Sequence, residues 1–244
     1  MQSPIFLSII IPAHNEAHRL PGSLDQILNF LAEQTYKAEV LVVENGSQDD
    51  TFQIAEAYAR RDPQISVLRK AGRGKGLAVR AGMLQARGEY RFMCDADLSM
   101  PIGEINRFIP PALENFDIAI ASREAPGAVR YNEPEYRHII GRGYNTLIRL
   151  LALPGLQDTQ CGFKCLRGAV ADEIFHFQKL DGMSFDVEML YIARMRKYRI
   201  TEIPIPWYFN PDSRVQIIND SIQMGFDLLT IRQNAARGVY DGEI

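Results

Sequence analysis

Short apolar runs alternate with helix-like patterns over the first 122 residues of the chain. Phe6–Ile11 and Glu39–Val43 are almost wholly apolar, as are strands that are buried on both faces of a sheet. Between them, leucine and isoleucine recur from Leu20 to Leu31 at the spacing of one helix face. Such alternation is typical of a parallel sheet covered by crossover helices. We therefore predict an α/β fold with a mostly parallel central sheet and flanking helices.

The same patterns predict the remaining elements. In the first half we predict strands at Ile65–Leu68, Tyr90–Cys94 and Ile118–Ser122, and helices through Phe52–Tyr58, Leu77–Ala86 and Ile102–Leu113. In the second half we predict helices at Tyr136–Leu153, Phe185–Lys197 and Ile217–Ile231, and strands at Gly162–Leu166 and Ile200–Ile205. The segment Arg123–Pro134 is rich in glycine, proline and charge, which indicates a long loop. We predict one domain over residues 1–213, with halves at 1–122 and 123–213, and an amphipathic helix within residues 214–244.

The composition excludes several classes of protein. Hydrophobic residues make up 46% and charged residues 23% of the 244 residues, so the chain is neither disordered nor collagen-like. The 27 Lys and Arg residues against 30 Asp and Glu residues leave a net charge of −3, which is too balanced for bulk binding of nucleic acid. Three cysteines and an N-terminus without signal-peptide features indicate the cytoplasm. No run approaches the roughly 20 apolar residues of a membrane-spanning helix, so we expect no span.

Polar side chains follow three of the predicted strands. Pro12–Glu16 follow the first strand, Glu44–Thr51 the second and Asp95–Asp97 the fourth. In open parallel sheets, ligands bind beyond these carboxyl ends of the strands. Carboxylates at three strand ends would repel a bare anion, so we expect a ligand with amide donors, hydroxyl groups or a bridging cation.

Asp95 and Asp97 are separated by one residue at the end of a buried strand. Two carboxylates so placed can share a hard cation and a ribose. A solvated acidic turn is the alternative for an isolated pair of this kind, but the strand before it favours a site. We therefore predict that Asp97 and Asp95 hold Mg²⁺ or Mn²⁺, with open positions for a substrate diphosphate.

Gly72–Gly76 has the composition of a phosphate-binding loop but neither familiar spacing. Gly76 follows Lys75 where the Walker motif has Ser or Thr, and Leu77 stands in place of the third glycine of the dinucleotide fingerprint. Two interpretations remain. The turn places Arg73 and Lys75 at a helix start where they meet a nucleotide, or it is a simple surface turn.

Six motifs follow one another along the chain in a specific order. They are Pro12–Glu16, Glu44–Ser47 with Asp50–Thr51, Gly74–Gly82, Asp95–Asp97, Gln160–Lys164 and Phe185–Glu188. Together they resemble family 2 glycosyltransferases of the GT-A fold, and within them the dolichyl-phosphate β-glucosyltransferases and bacterial polyprenyl-phosphate glycosyltransferases. The resemblance implies an inverting, metal-dependent transfer of a hexose, with UDP-glucose as donor and a polyprenyl or dolichyl phosphate as acceptor. GDP-mannose as donor and a small soluble acceptor are the alternatives.

The resemblance implies a nucleotide-sugar site in residues 1–122. It places the base near Pro12, Ala13 and Glu44, since a carboxylate can accept the imide N–H of uracil, and it places Glu16 near the nucleoside. Asp97 is the implied catalytic residue that holds the metal, with Asp95 and Ser99 as further ligands. The full implied donor set is Pro12, Ala13, Asn15, Glu16, Glu44, Gly74, Lys75, Asp95 and Ala96.

The resemblance implies an acceptor site in residues 123–213, where Asp158 orients or deprotonates the acceptor. A phosphate monoester is already an anionic nucleophile at pH 7, whereas a sugar hydroxyl needs a base. Asp186 and Glu188 hold sugar hydroxyls or fix a loop, and helix capping is the alternative for Asp186. The arginines grip the acceptor phosphate, with surface solvation as the alternative. The full implied acceptor set is Arg123, Arg130, Gln160, Lys164, Asp186, Glu188 and Arg214.

Three features depart from the family pattern. Glu44–Asn45 stand where the family commonly has two aspartates. Leu98–Ser99 place a hydroxyl, not a stronger ligand, after the acidic pair. The membrane helix that these enzymes often carry is missing, so we expect at most peripheral contact with the inner face of the membrane.

The predicted C-terminal helix bears on that contact. Its apolar side chains cover an arc of roughly 220°, which is wider than a helix on one core needs. A membrane surface, a second subunit or a deep groove would cover the excess. We expect Ile222, Phe226 and Leu229 to pack on the domain, and Met224, Leu228 and Ile231 to face outward. The basic residues of Arg194–Arg199 favour an anionic membrane or form a solvated helix face.

Overall fold

Nine strands and seven α-helices make up the part of the chain that the computed structural model describes, residues 4–211 and 217–242, without the side chains of residues 217–222. The strands are β1 (Leu7–Ala13), β2 (Ala38–Glu44), β3 (Ile65–Arg69), β4 (Tyr90–Cys94), β5 (Ile118–Ser122), β6 (Val129–Tyr131), β7 (Phe163–Arg167), β8 (Ile200–Pro204) and β9 (Pro206–Tyr208). The helices are α1 (Leu20–Ala32), α2 (Thr51–Arg61), α3 (Lys75–Gln85), α4 (Glu135–Leu151), α5 (Gly168–Phe177), α6 (Phe185–Met195) and α7 (Ile217–Ala236).

Seven strands form one central sheet in the order β3-β2-β1-β4-β7-β5-β8. Only β7 runs antiparallel to its neighbours, β4 and β5. The other pairs in the sheet are parallel, and β6 and β9 form a separate parallel pair. The predicted α/β class with a mostly parallel sheet and flanking helices is confirmed.

The sheet lies between two apolar layers, which explains why its central strands are almost wholly apolar. Along β1, Ile9 and Ile11 enter the layer that contains Leu24 of α1. Ile10, between them, enters the opposite layer with Val79 of α3. Successive strand residues point to opposite faces, so both faces of β1 are buried.

Strand register brings the polar segments to one edge. β1 pairs with β2 so that Ala13 lies opposite Glu44, and both strands end there. β4 pairs with β1 on the other side and ends at Cys94. The residues that follow these three strands therefore meet at one edge of the sheet, as the sequence predicts.

Several predicted elements need correction. The predicted helix Ile102–Leu113 is a 3₁₀ helix over Ile102–Arg107, because Pro110 and Pro111 cannot continue a helix. The predicted loop Arg123–Pro134 contains β6. The sequence analysis missed α5 and β9, which follow their neighbouring strands almost directly.

The orientation predicted for α7 is reversed. Met224, Leu228 and Ile231 are buried, whereas Phe226 and Leu229 are 63% and 53% exposed. Leu228 and Ile231 belong to the core layer that also holds α5 and α6 residues. A wide apolar arc does not itself say which part faces the core. Ile222, the third residue of the predicted inner triplet, lies outside the described side chains.

Within residues 4–211 and 217–242, no helix combines the length and the apolar character that crossing a membrane requires.

Candidate active site

An ion pair between Lys75 and Asp95 lies at the centre of the polar edge. Lys75 is the first residue of α3, and its Nζ lies 2.5 Å from Oδ1 of Asp95, directly after β4. Burial alone would lower the pKa of Lys75, but the carboxylates of Asp95 and Asp186 raise it above its usual value. Lys75 is therefore a fixed positive charge at this edge, suited to an anionic ligand.

Asp97 occupies the turn that follows β4. Its Oδ1 accepts a 3.0 Å hydrogen bond from the backbone N–H of Ser99. Leu98, between them, has a φ of 46°, an unusual conformation for a residue other than glycine. Burial, and then the nearby charge of Asp95, raise the pKa of Asp97. This partly buried carboxylate is a group that a cation would stabilise in its ionised form.

Gly162 makes room for Asp95. β7 begins at Phe163 and pairs with β4, so that Cys94 lies opposite Phe163. A Cβ atom on Gly162 would lie 2.1 Å from Oδ2 of Asp95. The glycine before β7 therefore allows the Asp95 carboxylate to occupy its position.

The glycine-rich turn packs against a second loop. A Cβ atom on Gly74 would lie 2.2 Å from the carbonyl oxygen of Asp181, and one on Gly76 would lie 2.5 Å from that of Leu180. The side chain of Asn45 donates a 2.8 Å hydrogen bond to the carbonyl oxygen of Gly74. These contacts fix the backbone on both sides of Lys75, so the turn is not a free surface loop.

The end of β1 is held by the turn after β2. Ala13 is buried and Pro12 is partly exposed. The backbone N–H groups of Asn15 and Glu16 donate to the hydroxyl oxygens of Ser47 (3.0 Å) and Thr51 (2.7 Å). The carboxylate of Glu16 accepts hydrogen bonds from Arg19 at 2.7 and 2.8 Å. These hydrogen bonds hold the backbone of the predicted base-binding segment in place.

Glu44, the last residue of β2, is hydrogen-bonded within the chain. Its side chain is fully buried, and its two carboxylate oxygens accept hydrogen bonds from the backbone N–H of Ser47 and the guanidinium of Arg69. These two hydrogen bonds stabilise the turn after β2. Contact between Glu44 and the imide N–H of a base stays a prediction, and it would have to compete with them. Asn45, at the position after it, has the contact to the glycine-rich turn.

Asp158 and Arg123 form a buried pair beyond the central strands. Asp158 is fully buried, and its carboxylate accepts hydrogen bonds from Arg123 Nε (2.7 Å) and Nη2 (3.0 Å). Burial alone would raise the pKa of Asp158, but Arg123 lowers it to about 2. The backbone N–H of Gln160 also donates to Asp158, at 3.2 Å. Arg123 therefore keeps the Asp158 carboxylate ionised, and the carboxylate in turn fixes the Arg123 guanidinium.

Trp207 lies between two arginines and was not singled out in the sequence. The guanidinium of Arg123 lies 5.4 Å and that of Arg130 5.7 Å from the centre of its ring. Arg130 also pairs with Glu124 and with Glu133, the latter at 2.6 Å. Both arginines are already engaged, so an acceptor phosphate would have to compete with carboxylates for them. Trp207 lies in β9, an element that the sequence analysis missed.

Lys164 and Asp186 form a second buried pair. Lys164 Nζ donates to the carboxylate of Asp186 and, at 2.6 Å, to the carbonyl oxygen of Cys161. Burial raises the pKa of Asp186. The N-cap residue of α6 is Ser184, and the Asp186 carboxylate in the first turn is instead engaged by Lys164. The pair lies close enough to Lys75 for Asp186 to raise the pKa of that lysine.

Glu188 fixes a loop. Its buried carboxylate accepts hydrogen bonds from the backbone N–H groups of Lys179 (3.1 Å) and Leu180 (2.7 Å), and from the hydroxyl of Tyr240 (2.7 Å). This is the loop that packs against Gly76. The loop-fixing alternative therefore describes Glu188 better than contact with sugar hydroxyls. Arg214, the remaining acceptor candidate, lies outside the described residues.

The residues near Asp97 suit a divalent cation bound together with a ligand. Among the residues that the structure describes, no group of three or more His, Cys, Asp or Glu side chains is arranged to hold a metal. Mg²⁺, however, is commonly bound through one or two carboxylates plus substrate phosphates. Asp95 and Asp97 supply such carboxylates, whereas Ser99 contacts Asp97 through its backbone N–H. The donor set therefore fits a cation completed by a diphosphate.

Comparison with known proteins identifies the family. Residues 8–175 match the model of glycosyl transferase family 2. The chain is 33% identical over 250 residues to a dolichyl-phosphate β-glucosyltransferase of Dictyostelium discoideum, covering 97% of this chain and 76% of that one. It is 33% identical over 249 residues to the dolichyl-phosphate β-glucosyltransferase of Mus musculus, covering 96% and 77%.

The solved structures show the fold. Glucosyl-3-phosphoglycerate synthase from Mycobacterium tuberculosis, in complex with Mn²⁺, UDP and phosphoglyceric acid, has a TM-score of 0.67 at 15% identity, covering 98% of this chain and 80% of that one. The same enzyme in complex with Mg²⁺ and UDP has a TM-score of 0.65 at 15% identity, covering 94% and 79%. The predicted family resemblance and GT-A architecture are both confirmed. The chain therefore belongs to glycosyltransferase family 2 and has the GT-A fold.

Proposed function

We propose that this chain transfers glucose from UDP-glucose to a polyprenyl phosphate, such as dolichyl phosphate, with inversion at the anomeric carbon. An oxygen of the acceptor phosphate forms a bond to that carbon while the bond to the donor diphosphate breaks, and UDP leaves. The observation that carries the proposal is the 32–33% identity to curated dolichyl-phosphate β-glucosyltransferases over at least 96% of the chain.

The polar edge of the sheet supports the donor part of the proposal. Lys75 presents a fixed positive charge beside Asp95 and Asp97, where a donor diphosphate and its cation would bind. The cation supplies charge neutralisation for the leaving diphosphate. The proposal places the base near Pro12, Ala13 and Asn15, at the end of β1 and just after it. Ala96, whose carbonyl oxygen accepts a 2.5 Å hydrogen bond from Ser23, anchors the acidic turn to α1.

The state of Asp158 supports a phosphate acceptor. A carboxyl group with a pKa of about 2 is too weak a base to deprotonate a sugar hydroxyl at neutral pH. A phosphate monoester has its second pKa near 6 and needs no such base. Arg123, which Asp158 orients, is the cation that would position the acceptor phosphate, with Trp207 supporting its guanidinium.

The decisive experiment compares donors and acceptors in one assay. Purified protein is incubated with Mn²⁺, radiolabelled UDP-glucose or GDP-mannose, and either a polyprenyl phosphate or phosphoglyceric acid. We expect label from UDP-glucose to enter the organic phase only when polyprenyl phosphate is present. Label transferred to phosphoglyceric acid, and none to the lipid, would contradict the lipid acceptor. Transfer from GDP-mannose alone would contradict the proposed donor.

A further inference from the structure

Helix α4 contributes few side chains to the core, chiefly Ile148 and the partly buried Tyr144. Of its 17 residues, only Ile148 is buried. Six large apolar side chains on it are exposed, among them Ile139 at 70% and Leu150 at 77%. The exposed set is Tyr136, Ile139, Ile140, Leu147, Leu150 and Leu151.

These side chains occupy one face of α4. At about 100° per residue, the six fall within an arc of about 120°, which is the width of the stripe that a helix normally buries. α4 packs against α7, whose exposed Phe226 and Leu229 add to the apolar surface of this part of the molecule. Exposed apolar surface of this extent marks an interaction site. We call the six α4 side chains, together with Phe226 and Leu229, the α4 face.

We propose that the α4 face docks on the surface of an anionic lipid membrane, which rests on the proposed function because a polyprenyl phosphate acceptor is embedded there. Arg142 and Arg149 lie along one flank of the apolar arc of α4. Both are exposed, and neither takes part in an ion pair within the described part of the chain. Glu135 is the one acidic residue of α4. Apolar side chains flanked by unpaired arginines are typical of helices that lie in a membrane interface.

The position of α4 also fits this partner. The helix begins directly after the segment that carries Arg123 and Arg130. His138 of α4 lies 3.2 Å from the Glu124 carboxylate, which also pairs with Arg130. His138 lies on the side of α4 opposite the apolar arc, so these arginines are across the helix from a membrane on the α4 face, at a distance of ~10 Å, one helix diameter. The phosphate of the acceptor would reach past the start of α4 to enter the site while its hydrocarbon chain stays in the lipid.

A second copy of this chain fits the α4 face less well. A twofold interface places the same patch of each subunit against the other. The arginines on the flank of one α4 would then approach the equivalent arginines of its partner, with only Glu135 on the helix to offset them. The arginines that flank the α4 face thus favour an anionic surface over self-association.

Flotation with vesicles tests the proposal. We expect the full chain to float with vesicles that contain 30% phosphatidylglycerol in phosphatidylcholine, and to float much less with phosphatidylcholine alone. Replacing Ile139 and Leu150 by Glu should abolish flotation without lowering Tm, since both side chains are exposed. The matched control replaces Leu84 and Met195 by Glu, exposed residues at 45% and 38% outside the α4 face, and should float as the unmodified chain does.

A second pair of substitutions measures how much the arginines contribute to membrane binding. Replacing Arg142 and Arg149 by Gln should reduce partitioning to anionic vesicles by about 30-fold, the effect of two charges at about 1 kcal/mol each. Flotation of the Ile139/Leu150 variant at the level of the unmodified chain would overturn the proposal. So would a dimer in solution that the same two substitutions convert to a monomer, because a second copy would then cover the α4 face.

An activity assay keeps this proposal distinct from the proposed function. With a water-soluble short-chain prenyl phosphate, the Ile139/Leu150 variant should retain full activity, whereas with acceptor embedded in vesicles it should lose at least tenfold. Absence of transfer by the unmodified chain to either acceptor would contradict the proposed function and leave the flotation result to decide the membrane contact. Equal loss with both acceptors would overturn the role of the α4 face.

Discussion

A Cβ atom at position 162 would lie 2.1 Å from Oδ2 of Asp95, so the Asp95 carboxylate occupies space that only a glycine at position 162 leaves open. Gly162→Ala should displace Asp95 and weaken Mn²⁺-dependent binding of UDP by about tenfold or more, or about 1.4 kcal/mol. Titration calorimetry measures the affinity. Gly103→Ala is the matched control, because a Cβ atom there meets nothing within 4 Å. Unchanged UDP affinity in Gly162→Ala would contradict the proposed role of Asp95.

Substitution of Asp97 tests whether transfer depends on a metal ion. Asp97→Ala should abolish turnover and metal-dependent nucleotide binding. Burial raises the pKa of Asp97, so the folded state holds its proton more tightly than the unfolded state does, and the stability that this proton contributes is lost as the pH rises from the unfolded value near 4 through the folded pKa. Removing the carboxyl should therefore leave Tm unchanged or slightly higher. Full activity of the unmodified protein in EDTA would rule out the metal, and a large loss of Tm in the variant would point to a structural role.

The Asp158–Arg123 pair should be important for stability. Asp158→Asn leaves the guanidinium of Arg123 without its buried counter-ion, which we expect to cost about 3 kcal/mol of unfolding free energy. Since the folded pKa of Asp158 is about 2, its contribution is complete above the unfolded value near 4 and is lost as the pH falls toward 2. Urea unfolding at pH 7 and pH 3 measures both effects. Glu114→Gln, at an exposed position, should show neither.

The pH dependence of the rate separates the acceptor classes. Because Asp158 is already ionised at pH 4, its titration should not appear in a kcat/KM profile between pH 5 and pH 9. With a polyprenyl phosphate, the rate should instead fall below about pH 6, where the acceptor takes up its second proton. A rate that kept rising above pH 7 would indicate a base acting on a hydroxyl acceptor.

Neighbouring leucines test the orientation of α7. Leu228 is fully buried and Leu229 is 53% exposed. Leu228→Glu places an unpaired carboxylate in the core, so it should lower the unfolding free energy by about 3 kcal/mol or more. Leu229→Glu should change Tm little. Thermal unfolding of the two variants provides the comparison, and a reversed order would mean that the orientation predicted from the sequence was right.

The sequence predicts where the strands lie along the chain better than it predicts which strands pair in the sheet. Tyr90–Cys94 and Ile118–Ser122 are predicted with the bounds that the structure has, because strands buried on both faces appear as continuous apolar runs. Phe163–Arg167 also looks like a strand, yet nothing in its residues shows that it pairs between β4 and β5. That pairing depends on contacts between segments about 50 to 70 residues apart.

In the candidate site, too, the sequence predicts the positions of residues but not their contacts. The place of Asp95 and Asp97 at the polar edge could be predicted because residues directly after a buried parallel strand lie at that edge. Glu44 occupies a similar place, but its side chain turns back to Ser47 and Arg69. A sequence gives the residue type and its place on a strand, whereas the direction of the side chain depends on which donors surround it. The same holds for Glu188, whose carboxylate direction is set by the backbone N–H donors of the neighbouring loop.

The insertion of β7 between β4 and β5 means that residues 1–122 and 123–213 share a hydrogen-bonded sheet. A fragment that ended at residue 122 would contain β4 and β5 with no strand between them, and Asp95 would lose its neighbour Gly162. Chimeras that exchange the second half between relatives would therefore also exchange the strand against which the acidic turn is packed. We therefore expect such a chimera to take on the acceptor preference of the relative that supplies its second half only when β7 and the turn after β4 come from the same parent.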